Sequence, residues 1–251
     1  MVGIVIVSHS HLLARGVEEL VRGMAHEKVP LAAVGGLDEP DHPLGTDAVA
    51  VREAIERVSS GDGVLVLMDL GSAVLSAEMA LDMLPESQRE RVLLCEAPLV
   101  EGAMSAAVQA GLGAGLEEVA AEARGALVPK AEHLGTSAPS PSRERVGEGV
   151  AGQSVTLTIT NPLGLHARPA VRFVETVGRF DAQVSVRNVT TGKGPAKGRS
   201  LNALATLGVR QGHEIGVEAH GPQANEVLEA LEALAAEGFG EAELREAEFP
   251  P

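Results

Sequence analysis

The 251-residue sequence contains no tryptophan, no tyrosine and only four phenylalanines. Aromatic stacking platforms for bases or sugar rings are therefore excluded as a basis for function, and small aliphatic side chains must fill the cores. One cysteine is present, so no internal disulfide can form and no cysteine-rich metal site exists. That residue, Cys95, ends the apolar run Val92-Leu93-Leu94-Cys95 and reads as a small packed hydrophobe. Basic charge is in deficit: 20 Lys and Arg stand against 35 Asp and Glu, a formal charge of −15. No basic stripe is available to neutralise phosphates, which argues against a nucleic-acid partner, whereas acidity suits docking to basic protein surfaces. No apolar run approaches the roughly 20 residues a membrane helix needs, and no basic segment followed by an apolar block opens the chain. The expectation is a soluble cytoplasmic protein with no membrane insertion. The eight histidines show no convincing carboxylate partner at helical spacing, so no metal site is expected.

Apolar content of 45% supports real cores, and the length allows two ordinary domains. Residues 1–124 alternate strand and helix. Val2–Val7, Leu31–Val34, Gly63–Met68 and Val92–Ala97 read as buried strands, and Leu12–Met24, the stretch from Thr46-Asp47 through Val58, Ser72–Leu84 and segments from Leu99 to Arg124 read as helices. This alternation predicts an α/β domain with a mainly parallel sheet, in which ligand chemistry gathers at the carboxyl ends of the strands. From 125 to 152 periodicity dissolves among Pro, Gly, Ser and scattered charges, and the segment reads as a flexible linker. As a coil of about 28 residues it would span roughly 30 Å. Residues 153–240 read strand, helix, strand, short segment, helix, strand, helix, which predicts an α+β domain with an open antiparallel sheet covered on one face. Residues 241–251 are left as a C-terminal tail.

Two histidines fall at informative junctions. In Asn161-Pro162-Leu163-Gly164-Leu165-His166-Ala167-Arg168-Pro169-Ala170, a strand read over Val155–Thr160 gives way through a turn to a helix marked by Ala170, Val171, Val174 and Val177. Pro169 is tolerated in the first helical turn, where N–H groups have no intrahelical acceptor. His166 there faces free N–H donors and the positive end of the helix dipole, with Arg168 two residues on. Such a place suits an anionic group, and an imidazole nitrogen is a competent nucleophile. The ten-residue string resembles the active-site signature of HPr, the histidine phosphocarrier of the bacterial phosphoenolpyruvate-dependent phosphotransferase system (PTS). The resemblance extends over residues 153–240. It implies that His166 is phosphorylated and that Arg168 helps to hold the phosphoryl group.

The second histidine, His9, ends the first buried strand in Ile4-Val5-Ile6-Val7-Ser8-His9-Ser10. Met68-Asp69-Leu70-Gly71-Ser72-Ala73 ends the third strand with an acid and opens a helix through Gly-Ser. If these strands are neighbours, Asp69 orients one ring nitrogen of His9 and leaves the other as nucleophile, and N–H groups near Gly71 and Ser72 hold phosphoryl oxygens. The competing reading makes Asp69 a helix cap. Together with Gly45-Thr46-Asp47-Ala48-Val49 and Ala97-Pro98-Leu99-Val100-Glu101-Gly102, these motifs resemble, in order, the N-terminal domain of the phosphotransferase subunit of PTS-dependent dihydroxyacetone kinase, a mannose-family EIIA domain. The resemblance implies phosphorylation at His9, a homodimer, a supporting place for Thr46 among the phosphoryl-binding residues, and transfer to ADP on the ADP-binding kinase subunit. Some relatives continue into an enzyme I-like domain; the sequence ends at Pro251, so enzyme I is expected as a separate partner, and free HPr is a further candidate donor.

The expectation is a phosphotransferase, a phosphoenolpyruvate-glycerone phosphotransferase subunit, with no cofactor of its own; any Mg²⁺ travels with the nucleotide on the partner. The alternatives are an EIIA-HPr fusion serving a mannose-type sugar transporter and a phosphorylation-dependent regulatory binding module. Ser200 precedes a short helix beginning at Leu201 and reads as its cap; many HPr proteins carry a regulatory phosphorylation serine in this position, so Ser200 is also a candidate for modification. Gly111-Leu112-Gly113-Ala114-Gly115 lacks the strand and spacing of a dinucleotide loop. Gly192–Ser200 lacks a phosphate-loop ending and reads as a basic hairpin or docking surface. His11 lies close enough to His9 to shape its site, and His26, His42, His133, His213 and His220 read as surface histidines.

Overall fold

The computed structural model describes residues 1–25, 28–37, 43–135 and 153–240. The chain divides into two compact units, Met1–Leu127 and Val128–Pro251.

The first unit contains β1 (Gly3–Ser8), α1 (His11–Met24), β2 (Leu31–Gly35), α2 (Ala48–Val58), β3 (Val64–Met68), α3 (Gly71–Asp82), α4 (Glu86–Arg89), β4 (Val92–Cys95), α5 (Leu99–Gly111) and α6 (Leu116–Arg124). The strands form a parallel sheet in the order β2-β1-β3-β4. Every residue of β1 is buried, as its unbroken apolar run requires of a strand covered on both sides. Successive side chains point to opposite faces. Val5, Val7, Val64 and Val66 pack with Val51, Ala54, Ile55 and Val58 of α2 and with Ala73, Ala77 and Ala80 of α3 in one buried cluster. Ile4, Ile6, Leu65 and Leu67, also buried, point the other way. Each such side chain contributes about 1.5–3 kcal/mol by leaving water.

Parallel pairing has a direct consequence for chemistry. The register sets Ser8 beside Gly35 and Val7 beside Met68, so the residues that follow β1, β2 and β3 emerge at one end of the sheet. Asp47 caps α2 there, accepting a hydrogen bond from the Val49 N–H at 2.8 Å. Asp69 does not cap α3; that position belongs to Leu70, whose side chain has no polar atom.

The stretch 125–133, read from the sequence as the start of a linker, is helical: a 3₁₀ turn at Gly125–Leu127 precedes α7 (Val128–His133). Its helix-forming Ala, Leu, Lys and Glu outweigh Pro129, which sits in the first turn where the missing N–H costs nothing. The remainder of the expected linker, 136–152, and the tail 241–251 lie outside the described residues, as do His26 and His42.

The second unit continues with β5 (Gln153–Thr158), α8 (Ala167–Gly178), β6 (Gln183–Asn188), β7 (Lys193–Lys197), α9 (Leu201–Thr206), β8 (Glu214–His220) and α10 (Ala224–Ala236). The sheet is antiparallel, ordered β5-β8-β6-β7. Ile215, Val217 and Ala219 of β8 are buried while Glu214 and Glu218 are exposed, the alternation of a sheet covered on one face. α8 buries Pro169, Ala170, Val171, Phe173, Val174, Thr176 and Val177. The segment Gly192–Ser200, read from the sequence as a basic hairpin or docking surface, contains β7, an edge strand paired antiparallel with β6, and an edge is where a sheet accepts Pro195.

Candidate functional site

His9 is held from every side. Its ring Nδ1 lies 2.8 Å from Asp69 Oδ1, and its main-chain N–H donates to Asp69 Oδ2 at 2.8 Å. Its carbonyl accepts from the N–H groups of Gly36 at 3.2 Å and Gly45 at 2.9 Å. Loops after β1 and β2, and the segment leading into α2, thus converge on one residue. Close approach is possible because Gly35 lacks a side chain: a Cβ there would fall 2.7 Å from the Ser10 carbonyl oxygen.

The Asp69 carboxylate accepts four hydrogen bonds. Besides the two from His9, Oδ1 receives the Leu70 N–H at 2.7 Å and Oδ2 receives the hydroxyl of Ser8 at 2.8 Å. Burial pushes this carboxyl up, but the donors outweigh it: the His9 main chain, the His9 ring, the Ser8 hydroxyl and the Leu70 N–H hold Asp69 below the ordinary carboxylate value. An ionised carboxylate can only accept, so Nδ1 donates to Asp69, and in the neutral ring the lone pair falls on Nε2. Nε2 meets the hydroxyl of Ser72. Ser72 and Gly71 open α3, and first-turn N–H groups have no intrahelical acceptor. A phosphoryl group on Nε2 would meet hydrogen-bond donors and the positive end of a helix.

Of the residues expected from the sequence, the structure brings His9, Asp69 and Ser72 into direct contact and sets Gly71 beside them. Thr46 lies at the margin, its hydroxyl 2.7 Å from Ser76 Oγ, one turn along α3 from Ser72. Ser8, passed over beside the histidine, is fully buried and belongs to the same cluster. A polar residue closing a wholly apolar buried strand was the signal that marks it. Three leucines lie on segments at the same end of the sheet: Leu12, Leu44 and Leu70 are 81%, 76% and 65% exposed.

His166 is built differently. It is the N-cap of α8, with extended backbone, and its side chain makes no capping bond. Asn161 to Gly164 form a turn closed by the Gly164 N–H to the Asn161 carbonyl at 2.9 Å, and the Leu165 N–H donates to the Val209 carbonyl at 3.1 Å. Gly164 has φ of +72°, and a Cβ on it would fall 2.2 Å from the Val209 oxygen. Only glycine fits this turn. Ala167 and Arg168 supply the first-turn N–H groups of α8, and half-buried Arg168 follows His166 on that turn. Leu163, in the turn that precedes His166, is 75% exposed.

Val209 belongs to a brace that sequence reading missed. Asn188 is fully buried. Its amide donates to the Leu207 carbonyl at 3.1 Å and lies 3.2 Å from His213 Nδ1, and its carbonyl accepts from the Thr191 N–H at 3.2 Å. His213, expected at the surface, is half-buried and accepts the Arg210 N–H at 3.3 Å. These bonds fix the loop against which Leu165 rests. Ser200 is the N-cap of α9, its hydroxyl accepting from the Ala203 N–H at 3.0 Å. Among the described residues no helix is long and apolar enough to cross a membrane.

Comparison with known proteins follows the same division. The family of the PTS system fructose IIA component matches residues 3–120, and that of the PTS HPr component phosphorylation site matches 153–237. The chain is 45% identical over 245 residues to the PEP-dependent dihydroxyacetone kinase, phosphoryl donor subunit DhaM, of Pantoea ananatis, covering 96% of this chain and 51% of that protein. Identity to the protein of the same name from Escherichia coli is 44% over 248 residues, covering 97% and 52%. The chain thus spans about half the length of these two relatives. The phosphoryl donor subunit DhaM of PEP-dependent dihydroxyacetone kinase 2 from Listeria innocua is 38% identical over 109 residues, 43% of this chain and 86% of that protein. With a IIA domain followed by an HPr domain, the chain belongs to the family of DhaM phosphoryl donor subunits.

Proposed function

We propose that this chain is a phosphoryl carrier with two stations. Phospho-enzyme I loads His166; His166 passes the group to His9; His9 delivers it to ADP on the ADP-binding subunit of a dihydroxyacetone kinase. Free HPr is a second donor to His9, and the carrier works as a homodimer in the cytoplasm.

The observation that carries this reading is the pairing of His9 Nδ1 with Asp69 Oδ1 at 2.8 Å, which leaves Nε2 facing Ser72 and the start of α3. In the loading step the Nε2 lone pair forms a bond to phosphorus as the donor's phosphorus–nitrogen bond breaks, and that electron pair returns to the donor's ring. Positive charge develops on the His9 ring and is offset through Nδ1–H by the Asp69 carboxylate. Donors at Gly71, Ser72 and their helix end hold the phosphoryl oxygens. Delivery reverses these moves, with an oxygen of the nucleotide as acceptor. Positioning and charge stabilisation account for the catalysis. At His166, the first turn of α8 and the guanidinium of Arg168 hold the group. The exposed Leu12, Leu44 and Leu70, on segments at the His9 end of the sheet, and the exposed Leu163, in the turn before His166, favour protein partners over a small free substrate.

The test is to incubate the protein with enzyme I and phosphoenolpyruvate and to map acid-labile phosphate by mass spectrometry, then to add the kinase subunit with ADP. Both histidines are expected to carry label and ATP to form. His166→Ala is expected to abolish labelling at His9 when no HPr is added, and His9→Ala to abolish ATP formation while His166 still labels. ATP formation by His9→Ala at the unmodified rate would overturn the assignment.

A further inference from the structure

The four donors on Asp69 are not equivalent. Two are main-chain N–H groups, of His9 and Leu70, which every side chain at those positions would supply; one is the reacting ring itself. The fourth, the hydroxyl of Ser8, is, among the described residues, the only donor from a side chain other than the ring. It sits at the last position of β1, fully buried, and its oxygen also accepts the Ser10 N–H at 3.1 Å. A hydroxyl that donates to one group while accepting from another has a fixed rotor, so Ser8 holds Oδ2 from a defined direction. Oδ1 then faces Nδ1 with the carboxylate unable to turn.

We propose that Ser8 is a positioning residue for phosphoryl transfer, which acts through Asp69 to set the tautomer and orientation of the His9 ring. The proposal rests on the reading of His9 as a phosphoryl acceptor. Ser8 touches neither the phosphoryl group nor its partner. Removing its hydroxyl leaves Oδ2 with one donor and the Ser10 N–H without this acceptor, and the carboxylate gains freedom to rotate away from Nδ1. Two consequences follow for the ring: the Nε2 lone pair is held less constantly toward the incoming phosphorus, and the positive charge formed during attack is less well offset.

The experiment uses the full chain carrying His166→Ala, so that label falls on His9, with phosphoramidate as donor. No protein docking is then involved. Nε2 forms its bond to phosphorus while the phosphorus–nitrogen bond of phosphoramidate breaks, and the nitrogen, already protonated, leaves as ammonia with the bonding pair. Ser8→Ala is expected to slow labelling of His9 about tenfold, the scale of one lost hydrogen bond to a charged group. It is also expected to alter the ring ¹⁵N resonances of His9, which in the protein with Ser8 should report a proton localised on Nδ1. Ser8→Cys keeps the volume with a weaker donor; its rate should fall between the other two, and this variant carries the test if Ser8→Ala folds poorly. Unchanged labelling rates and unchanged ring resonances in the two variants overturn the proposal. Failure of His9 to label in the protein with Ser8 overturns instead the reading of His9 on which the proposal depends.

Discussion

His9 and His166 are the same side chain held by two folds in two ways. His9 sits where parallel strands end together, and the N–H groups of Gly36 and Gly45, a carboxylate and a hydroxyl fix both its backbone and its ring. His166 sits at the start of one helix, where a glycine turn and a braced loop fix the backbone. Charge differs as well: residues 1–127 hold twenty acidic and eight basic side chains, whereas 153–240 hold eight of each. On the reading proposed above, the parallel sheet supports a site tuned by neighbouring side chains, and the antiparallel unit supports one served by the first-turn N–H groups of α8 and by Arg168, in surroundings without net charge.

The sharpest way to break this contrast is at the carboxylate. Asp69→Ala is expected to lower transfer through His9 by about 10²–10⁴-fold, measured as the labelling rate of His9 from phospho-His166, while labelling of His166 by enzyme I stays within twofold. Arg168→Ala should do the converse on a smaller scale, slowing loading of His166 by roughly ten- to a hundredfold. An equal loss in the two variants would mean that the sites are tuned alike.

Backbone demands provide the next comparison. Gly164→Ala should destabilise the second unit by about 1–3 kcal/mol, because its Cβ would collide with the Val209 carbonyl at a positive φ. Gly71→Ala, whose Cβ would meet nothing within 4 Å, should leave thermal unfolding within about 0.5 kcal/mol. Thermal denaturation followed by circular dichroism separates the two.

Acid pH sharpens the contrast further. Since Asp69 is held below its ordinary value, its contribution to stability is complete above the unfolded carboxylate pKa, about 3.9, and is lost as pH falls through the lower folded value. The difference in unfolding free energy between the unmodified protein and Asp69→Asn should therefore be constant at neutral pH and shrink only below about pH 4. The smallest effect is expected at the surface: Leu44→Ser should leave stability within about 0.5 kcal/mol but raise the KM for a protein phosphoryl donor several-fold with little change in kcat.

Much of this was legible in the sequence, for identifiable reasons. Parallel pairing made it possible to expect Asp69 beside His9 from two buried apolar runs, each closing on a polar residue. The turn of Asn161–Gly164 and the helix after His166 followed from local residue types. What escaped depends on long-range contact. Ser8 looked like a neighbour of the histidine, not a partner of a carboxylate 61 positions away. Asn188 and His213 carry no local pattern, since burial alone turns them into a brace. The segment holding β7 was read as a basic hairpin or docking surface and not placed in the sheet, because Gly194 and Pro195 argue against a strand unless it lies at an edge, and edge position is a property of the assembled sheet.

With Nδ1 engaged by Asp69, His9 offers visitors a single doorway. On the function proposed above, the protein that brings the phosphoryl group and the one that takes it away would stand on the same threshold and could not be seated together. Handover there would have to alternate, and an excess of spent donor would block the exit as effectively as any inhibitor.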